Sequence, residues 1–353
     1  MSELRKDPVS GRWVIIAKER ADRPNPFRQY SSWVPNNESC PFCQGNEHLT
    51  PKEIAVIRTS EPGKGGAPWS VRTVANRYPA LRIEGTLDMR PEGLYDKMQG
   101  IGAHEVIIET PDHRADLSQF TNQQMVNVLQ MFRDRIIDLI QDLRFRYILV
   151  FKNHGGAAGA TLAHAHSQVI ALPIVPAQIE RELMGCQRYF EYRGRCLFCD
   201  TLNQEISDGR RMVVQNGDFV AFAPFASRFA FEIQIIPREH LPYFWKMSLS
   251  QMERLAEIVR DVFRRYKLAL KDPPYNFVIH SAPHGNPNAD RYHWQMNIMP
   301  RLTDVAGFEW GTGFYINPMP PEEAAQHLRD LDRFMDVPEG HLMTGPPLKT
   351  HGV

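Results

Sequence analysis

Two stretches of the chain carry apolar residues at steps of three and four. Met125, Val128, Phe132, Ile136, Leu139 and Ile140 fall on one face of a helix, and Met252, Leu255, Val259, Val262, Phe263 and Tyr266 do the same further on. That period predicts two amphipathic helices, each with one face turned to a core. Ser250-x-x-Glu253 reads as a capping box at the start of the second. Short apolar runs accompany them: residues 147–151 after the first helix, and 229–237 and 275–280 on either side of the second. Continuous apolar runs of this length predict buried strands. Residues 104–113 and the run from His164 to Leu172 read as further extended segments.

Taken in order, these elements occur twice. Cys40-Pro-Phe-Cys43 precedes a strand, a helix, a second strand, a glycine-rich loop at 153–161 and then His164-Ala-His166-Ser-Gln168. Cys196-Leu-Phe-Cys199 opens the same series, which passes His240 and ends in His293-Trp-Gln295-Met-Asn297. The recurrence predicts a duplicated α+β fold with antiparallel sheets flanked by helices. We expect an N-terminal half over 1–180, a C-terminal half over 181–335 with its linker near 173–194, and an extended Pro- and Gly-rich tail over 336–353.

Charge narrows the possible partners. Lys plus Arg and Asp plus Glu each number 41 in the 353 residues, so no bulk field draws nucleic acid or an anionic membrane. An anionic substrate must be met by local groups. The first residues lack the apolar run of a signal peptide and no segment is long enough to span a bilayer, so a cytoplasmic protein is expected. In a reducing compartment the two Cys-x-x-Cys pairs read as metal thiolates before disulfides.

The sharpest local signal is the alternation at His164, His166 and Gln168, which puts three polar side chains on one face of an extended segment. Buried polar groups need partners, so the plain alternative is a pair of satisfied core histidines. The glycines of the preceding loop favour a phosphate site, because small residues let backbone N–H groups approach an anion closely.

The run from Asn153 to Gln168, with Glu180-Arg181-Glu182, resembles the active-site signature of the galactose-1-phosphate uridylyltransferases, a two-repeat branch of the histidine-triad superfamily. The likeness extends to Arg20-Ala-Asp-Arg23-Pro24 and Asn76-Arg77-Tyr78-Pro79 and covers nearly the whole chain. It implies that His166 attacks the α-phosphorus of a nucleotide sugar and carries the nucleotide covalently between two substrates, with ping-pong kinetics. Gln168 is then the donor to the phosphoryl oxygens, where hydrolytic relatives carry a third histidine. Arg20, Arg23, Asn76, Arg77, Asn153, Gly159 and Thr161 fall in the nucleotide- and phosphate-binding segments.

The resemblance also implies a zinc ion on Cys40, Cys43, His113 and His164. The repeat supplies an independent counterpart in Cys196, Cys199, His240 and His293, because His113 to His164 is 51 residues and His240 to His293 is 53. Two structural zinc ions per chain are therefore expected. The second half has no nucleophile, since Gln295 and Asn297 stand where His166 and Gln168 stand in the first. Of the ligands of an additional iron site found in some relatives, Glu182 and His280 are present but Asn297 and Met299 replace histidines. No iron is expected, and Glu182 reads as a solvated helix carboxylate.

Gly313, Tyr315 and Asn317 lie in a segment resembling the family's hexose-phosphate site, with Asn317 in place of a glutamate. That change, with Arg77, Thr161, Ala163 and Ser167, is similar to the ADP-glucose phosphorylase branch. The implied substrates are UDP-glucose or UDP-galactose, or else ADP-glucose, with a hexose 1-phosphate or inorganic phosphate as the exchange partner, in a homodimer. A zinc-organised nucleic-acid module is disfavoured by the neutral charge and the lack of a basic cluster. A hydrolase is disfavoured by Gln168.

Overall fold

The structure is a computed structural model and describes residues 1–23, 27, 40–58 and 68–332; the expected tail over 336–353 lies outside the described residues. The chain opens with the antiparallel pair β1 (Glu3–Lys6) and β2 (Trp13–Ile16). The first repeat then supplies β3 (Glu53–Arg58), β4 (Trp69–Ala75), a small exposed hairpin of β5 (Arg90–Glu92) and β6 (Tyr95–Lys97), β7 (Ala103–Ile108), α1 (Asn122–Leu139), β8 (Tyr147–His154) and β9 (His166–Leu172). Two helices follow, α2 (Ala177–Arg193) and α3 (Leu197–Asp208). The second repeat contributes β10 (Met212–Gln215), β11 (Phe219–Phe222), β12 (Ile233–Pro237), α4 (Leu249–Leu270), β13 (Tyr275–His280) and β14 (Gln295–Pro300). Last come α5 (Gly307–Thr312), β15 (Tyr315–Asn317) and α6 (Pro321–Arg329).

Both repeats build one sheet. Its ten strands run β10-β11-β12-β14-β13-β8-β9-β7-β4-β3, and the repeats join where β13 pairs antiparallel with β8, from Tyr275↔His154 to Ile279↔Val150. α1 and α4 pack together on one face of it. Their stripes are buried as the period predicts: Met125, Val128, Phe132 and Ile136 of α1 and Met252, Leu255, Val259 and Val262 of α4 join the inward residues Val169, Phe277, Met296 and Ile298 in one core. Each buried side chain of this size contributes about 1.5–3 kcal/mol, so this shared layer, with the β8–β13 ladder, holds the repeats together.

Two expectations are corrected. The N-cap of α4 lies two residues before the expected one: Ser248 is the cap and Gln251 closes the box, because the same Ser-x-x-acceptor pattern occurs two residues upstream. The strand expected over 229–237 starts at Ile233, since Glu232 accepts N–H bonds from Arg228 and Phe229 in a turn that replaces the ladder. Most of the segment expected as the linker, 173–194, is the helix α2, which runs between the repeats and is stopped by Gly194 in the left-handed region at φ 67°. Gly185 sits inside it because any Cβ there would collide with the backbone oxygen of Val9. The expected break at 180/181 falls within this helix.

Candidate active site

β9 starts at His166, not His164, and its outward side chains are His166 and Gln168 while Ser167, Val169 and Ala171 turn to the helices. His166 Nδ1 lies 2.8 Å from the His164 carbonyl, so this nitrogen donates and Nε2 keeps its lone pair. Burial, and next the Lys152 ammonium, hold the imidazole down to about 4, so it is neutral. Phe42 stands edge-on to the ring with centroids 5.3 Å apart.

Gln168 is oriented by a residue whose role the sequence did not disclose. The Ala80 N–H donates to His104 Nδ1 at 3.1 Å, which puts the ring proton on Nε2, and His104 Nε2 lies 2.8 Å from Gln168 Oε1. With its oxygen thus occupied, Gln168 presents its NH2 group as a donor. The signal lay in alternation along β7: the cross-strand register places His104 opposite Ile170, on the face of Gln168. Asn76 Nδ2 lies 3.2 Å from the same His104 ring, while Arg77 is exposed with its guanidinium 5.9 Å from the Tyr78 ring centroid.

The glycine loop leaves β8 with Gly155 and Gly159 at φ 79° and 86°. Its own turns use the N–H groups of Ala158, Gly159 and Ala160, and Thr161 is exposed at its exit. Asn276 Nδ2 ties the loop to the sheet, donating at 2.8 Å to both Asn153 Oδ1 and the Ala158 carbonyl. Thus Asn76 and Gln168 meet on the His104 ring, and the loop is held to β13 through Asn276. Arg20 and Arg23 lie on a turn after β2, and among the described residues no hydrogen bond or ion pair joins them to His166. Gly313, Tyr315 and Asn317 also lie elsewhere: β15 pairs parallel with β2, and Asn317, fully buried, donates to the carbonyls of Ser227 and Phe229 at 3.0 and 3.2 Å.

Both Cys2His2 groups assemble, each with four ligand atoms within 4.8 Å of one another. In the first, Cys43 Sγ is 3.0 Å from His113 Nδ1 and 3.6 Å from His164 Nδ1, and Cys40 Sγ is 3.7 Å from His164 Nδ1. Tetrahedral zinc with Zn–S of about 2.3 Å and Zn–N of about 2.0 Å has S···N edges of about 3.5 Å. His164 donates Nε2–H to the Thr110 carbonyl at 2.7 Å, the outer contact that fixes a metal-ligating imidazole. The second group repeats this device, with His293 Nε2 at 2.7 Å from the Glu239 carbonyl and a buried Nδ1 that has no hydrogen-bond partner. An orphaned lone pair among thiols fits a cation.

Glu182 is corrected from a solvated carboxylate to a buried one. It accepts from Tyr292 Oη at 2.6 Å, Gln295 Nε2 at 3.1 Å and Gln178 Nε2 at 3.3 Å, with His280 Nδ1 at 3.5 Å. Burial pushes its pKa up, but His280 and these donors outweigh it and hold the group down to about 2. The surrounding residues do not fit iron: Gln295 offers a donor and Arg228 approaches Met299 Sδ at 3.0 Å.

Residues 1–176 match the model of the galactose-1-phosphate uridyl transferase N-terminal domain, and residues 100–337 match a domain of unknown function, DUF4921. ADP-glucose phosphorylase of Arabidopsis thaliana is 37% identical over 93% of both chains, and galactose-1-phosphate uridylyltransferase of Thermotoga maritima is 29% identical over 94% of this chain and 99% of its own. The crystal structure of the Arabidopsis enzyme with bound ADP-glucose superimposes with a TM-score of 0.80 at 35% identity, over 94% of this chain and 99% of that one. A uridylyltransferase structure gives 0.73 at 28% identity, over 95% and 100%. Fold and relatives define an enzyme of the nucleotidyltransferase class. The chain belongs to the galactose-1-phosphate uridylyltransferase family.

Proposed function

We propose that the chain transfers a nucleoside monophosphate between a nucleotide sugar and a hexose 1-phosphate through a nucleotidyl-His166 intermediate. The observation that carries this reading is the His166 ring: Nδ1–H is committed to the His164 carbonyl, which leaves Nε2 its lone pair, and Gln168 projects from the same face of β9. Nε2 donates its lone pair to the α-phosphorus as the bond to the sugar phosphate breaks, and the sugar 1-phosphate leaves with that electron pair. A phosphate oxygen of the second substrate then attacks the same phosphorus and returns the lone pair to Nε2. Gln168 Nε2–H stabilises the charge that gathers on the phosphoryl oxygens in both steps.

Zinc ions on Cys40, Cys43, His113 and His164, and on Cys196, Cys199, His240 and His293, fit these donor sets as structural centres. The first would fix His164, whose carbonyl sets the His166 tautomer. Segment 313–317 is tied to the residues before β12, four strands from β9, or about 19 Å at the usual spacing. If it meets the sugar on His166 it does so from a second copy of the chain, which agrees with a homodimer.

A second reading is ADP-glucose phosphorolysis, with inorganic phosphate as the acceptor. Asn317 favours it, because an amide committed to two backbone carbonyls is not free for sugar hydroxyls. Incubation with α-labelled UDP-glucose or ADP-glucose should give an acid-labile nucleotidyl protein. Discharge by galactose 1-phosphate supports the transferase; discharge by phosphate alone, yielding ADP, supports the phosphorylase. No labelled protein with either sugar sinks both.

A further inference from the structure

We propose that Lys152, held by Glu109 and Ser167, is a positioning residue that locks the main chain of His166 across a split in the sheet. The inference rests on the reading of His166 as the nucleophile.

The duplicated strands reveal the split. In the second repeat the inner hairpin is zipped from Tyr275↔Pro300 through His280↔Gln295. In the first, β8 and β9 pair only from Tyr147↔Leu172 to Phe151↔Gln168. Aligning Gln168 with Asn297, the next two pairs would be Lys152↔Ser167 and Asn153↔His166, and neither forms. β8 runs on along β13 as far as His154, while β9 stays with β7 at Ile108↔His166. The sheet therefore opens between β8 and β9 at the height of His166, where the loop from Gly155 begins.

An open ladder leaves a backbone carbonyl without its strand partner. Lys152 supplies one: its Nζ donates to the His166 carbonyl at 2.9 Å and to Glu109 Oε2 at 2.6 Å. Ser167 Oγ donates to the other Glu109 oxygen. The Glu109 backbone is tied in turn, its N–H donating to the Ala165 carbonyl at 3.1 Å and its carbonyl accepting from Gln124 of α1. Lys152 is 2% exposed, and Glu109 and Ser167 are fully buried.

Burying an ion pair costs desolvation, and apolar side chains can fill such a place at no loss of stability. The chain contains that alternative. By the same registers Lys152, Ser167 and Glu109 correspond to Ile279, Met296 and Pro237 in the repeat that carries Gln295. Where no nucleophile is held the strands are zipped and the trio is apolar; where His166 stands they are split and the trio is charged. Opening the sheet gives the phosphate loop room, and Lys152 keeps the opened strand from drifting.

The test is the single-turnover rate of enzyme nucleotidylation by labelled nucleotide sugar, in the full-length protein. Lys152→Met alone strands the Glu109 carboxylate, so Lys152→Met/Glu109→Gln removes both charges together. The double variant should keep its metal content and a melting temperature near that of the wild type, with KM within about twofold. Nucleotidylation should fall about 100-fold, the scale of a misplaced reacting group. Lys152→Arg should recover part of the rate, as a merely structural filler would not. If the double variant does not fold, Ser167→Ala carries the test with about a tenfold fall. Rates within threefold of wild type overturn the inference while leaving His166 labelled; an unlabelled wild type overturns the reading of His166 itself.

Discussion

Phe42 lies edge-on to His166, with ring centroids 5.3 Å apart, and it is also flanked in sequence by Cys43, a member of the first Cys2His2 group. One side chain thus couples the thiolate loop to the imidazole. Phe42 is 8% exposed, so Phe42→Ala should cost about 3–5 kcal/mol. Nucleotidylation should slow more than KM rises, with metal content unchanged. Loss of metal in the purified variant would show that the ring serves the thiolates alone.

Metal analysis of the purified protein should return close to two zinc equivalents. Cys196→Ser should lose one and lower the melting temperature while nucleotidylation persists below it, because Cys196 belongs to the half with Gln295. Cys43→Ser should lose the other equivalent together with the covalent intermediate. A single equivalent in the wild type would remove one of the two sites.

Glu182 should set part of the acid limb of stability. Its folded pKa, about 2, lies below the value of about 4.3 for an unfolded glutamate. Its contribution is therefore fully present above about pH 4.3 and is lost as pH falls towards 2. Glu182→Gln should lower the urea midpoint at pH 7, and the gap from wild type should close between pH 4 and pH 2. A gap that is constant over this range would mean that the carboxylate charge contributes nothing.

Gly155 holds φ at 79°, and a Cβ there would stand 2.8 Å from Pro274 Cβ. Gly155→Ala should cost about 1–3 kcal/mol and displace the loop that follows β8. The expected kinetic mark is a raised KM for the nucleotide sugar with both metal equivalents in place; an unchanged KM would show that the loop does not touch the phosphates.

What the sequence disclosed depended on how rigidly chemistry fixes spacing. The stripes of α1 and α4 follow the helical period, and the eight Cys and His residues were legible because two repeats carried them in one order. α2 was not foreseen as a helix: its segment was placed only as a linker, and its Gly185, a poor helix former, is set by the close approach of Val9. Glu182 was misread because helix position alone does not reveal that Tyr292 and Gln295 lie against it. Lys152 and Glu109 border apolar runs, where charge looks like a strand end entering solvent; only the register brings them together under His166.

The pairing of β8 with β13 bears on how the duplicated gene can change. Severed at that seam, each half would present a raw, apolar edge strand, a template for promiscuous association. The C-terminal copy, though it holds Gln295 in place of an imidazole, thus acts as a permanent chaperone to its sibling. Its border is needed where its chemistry is not, and separately expressed halves should reach a native state only when they refold together.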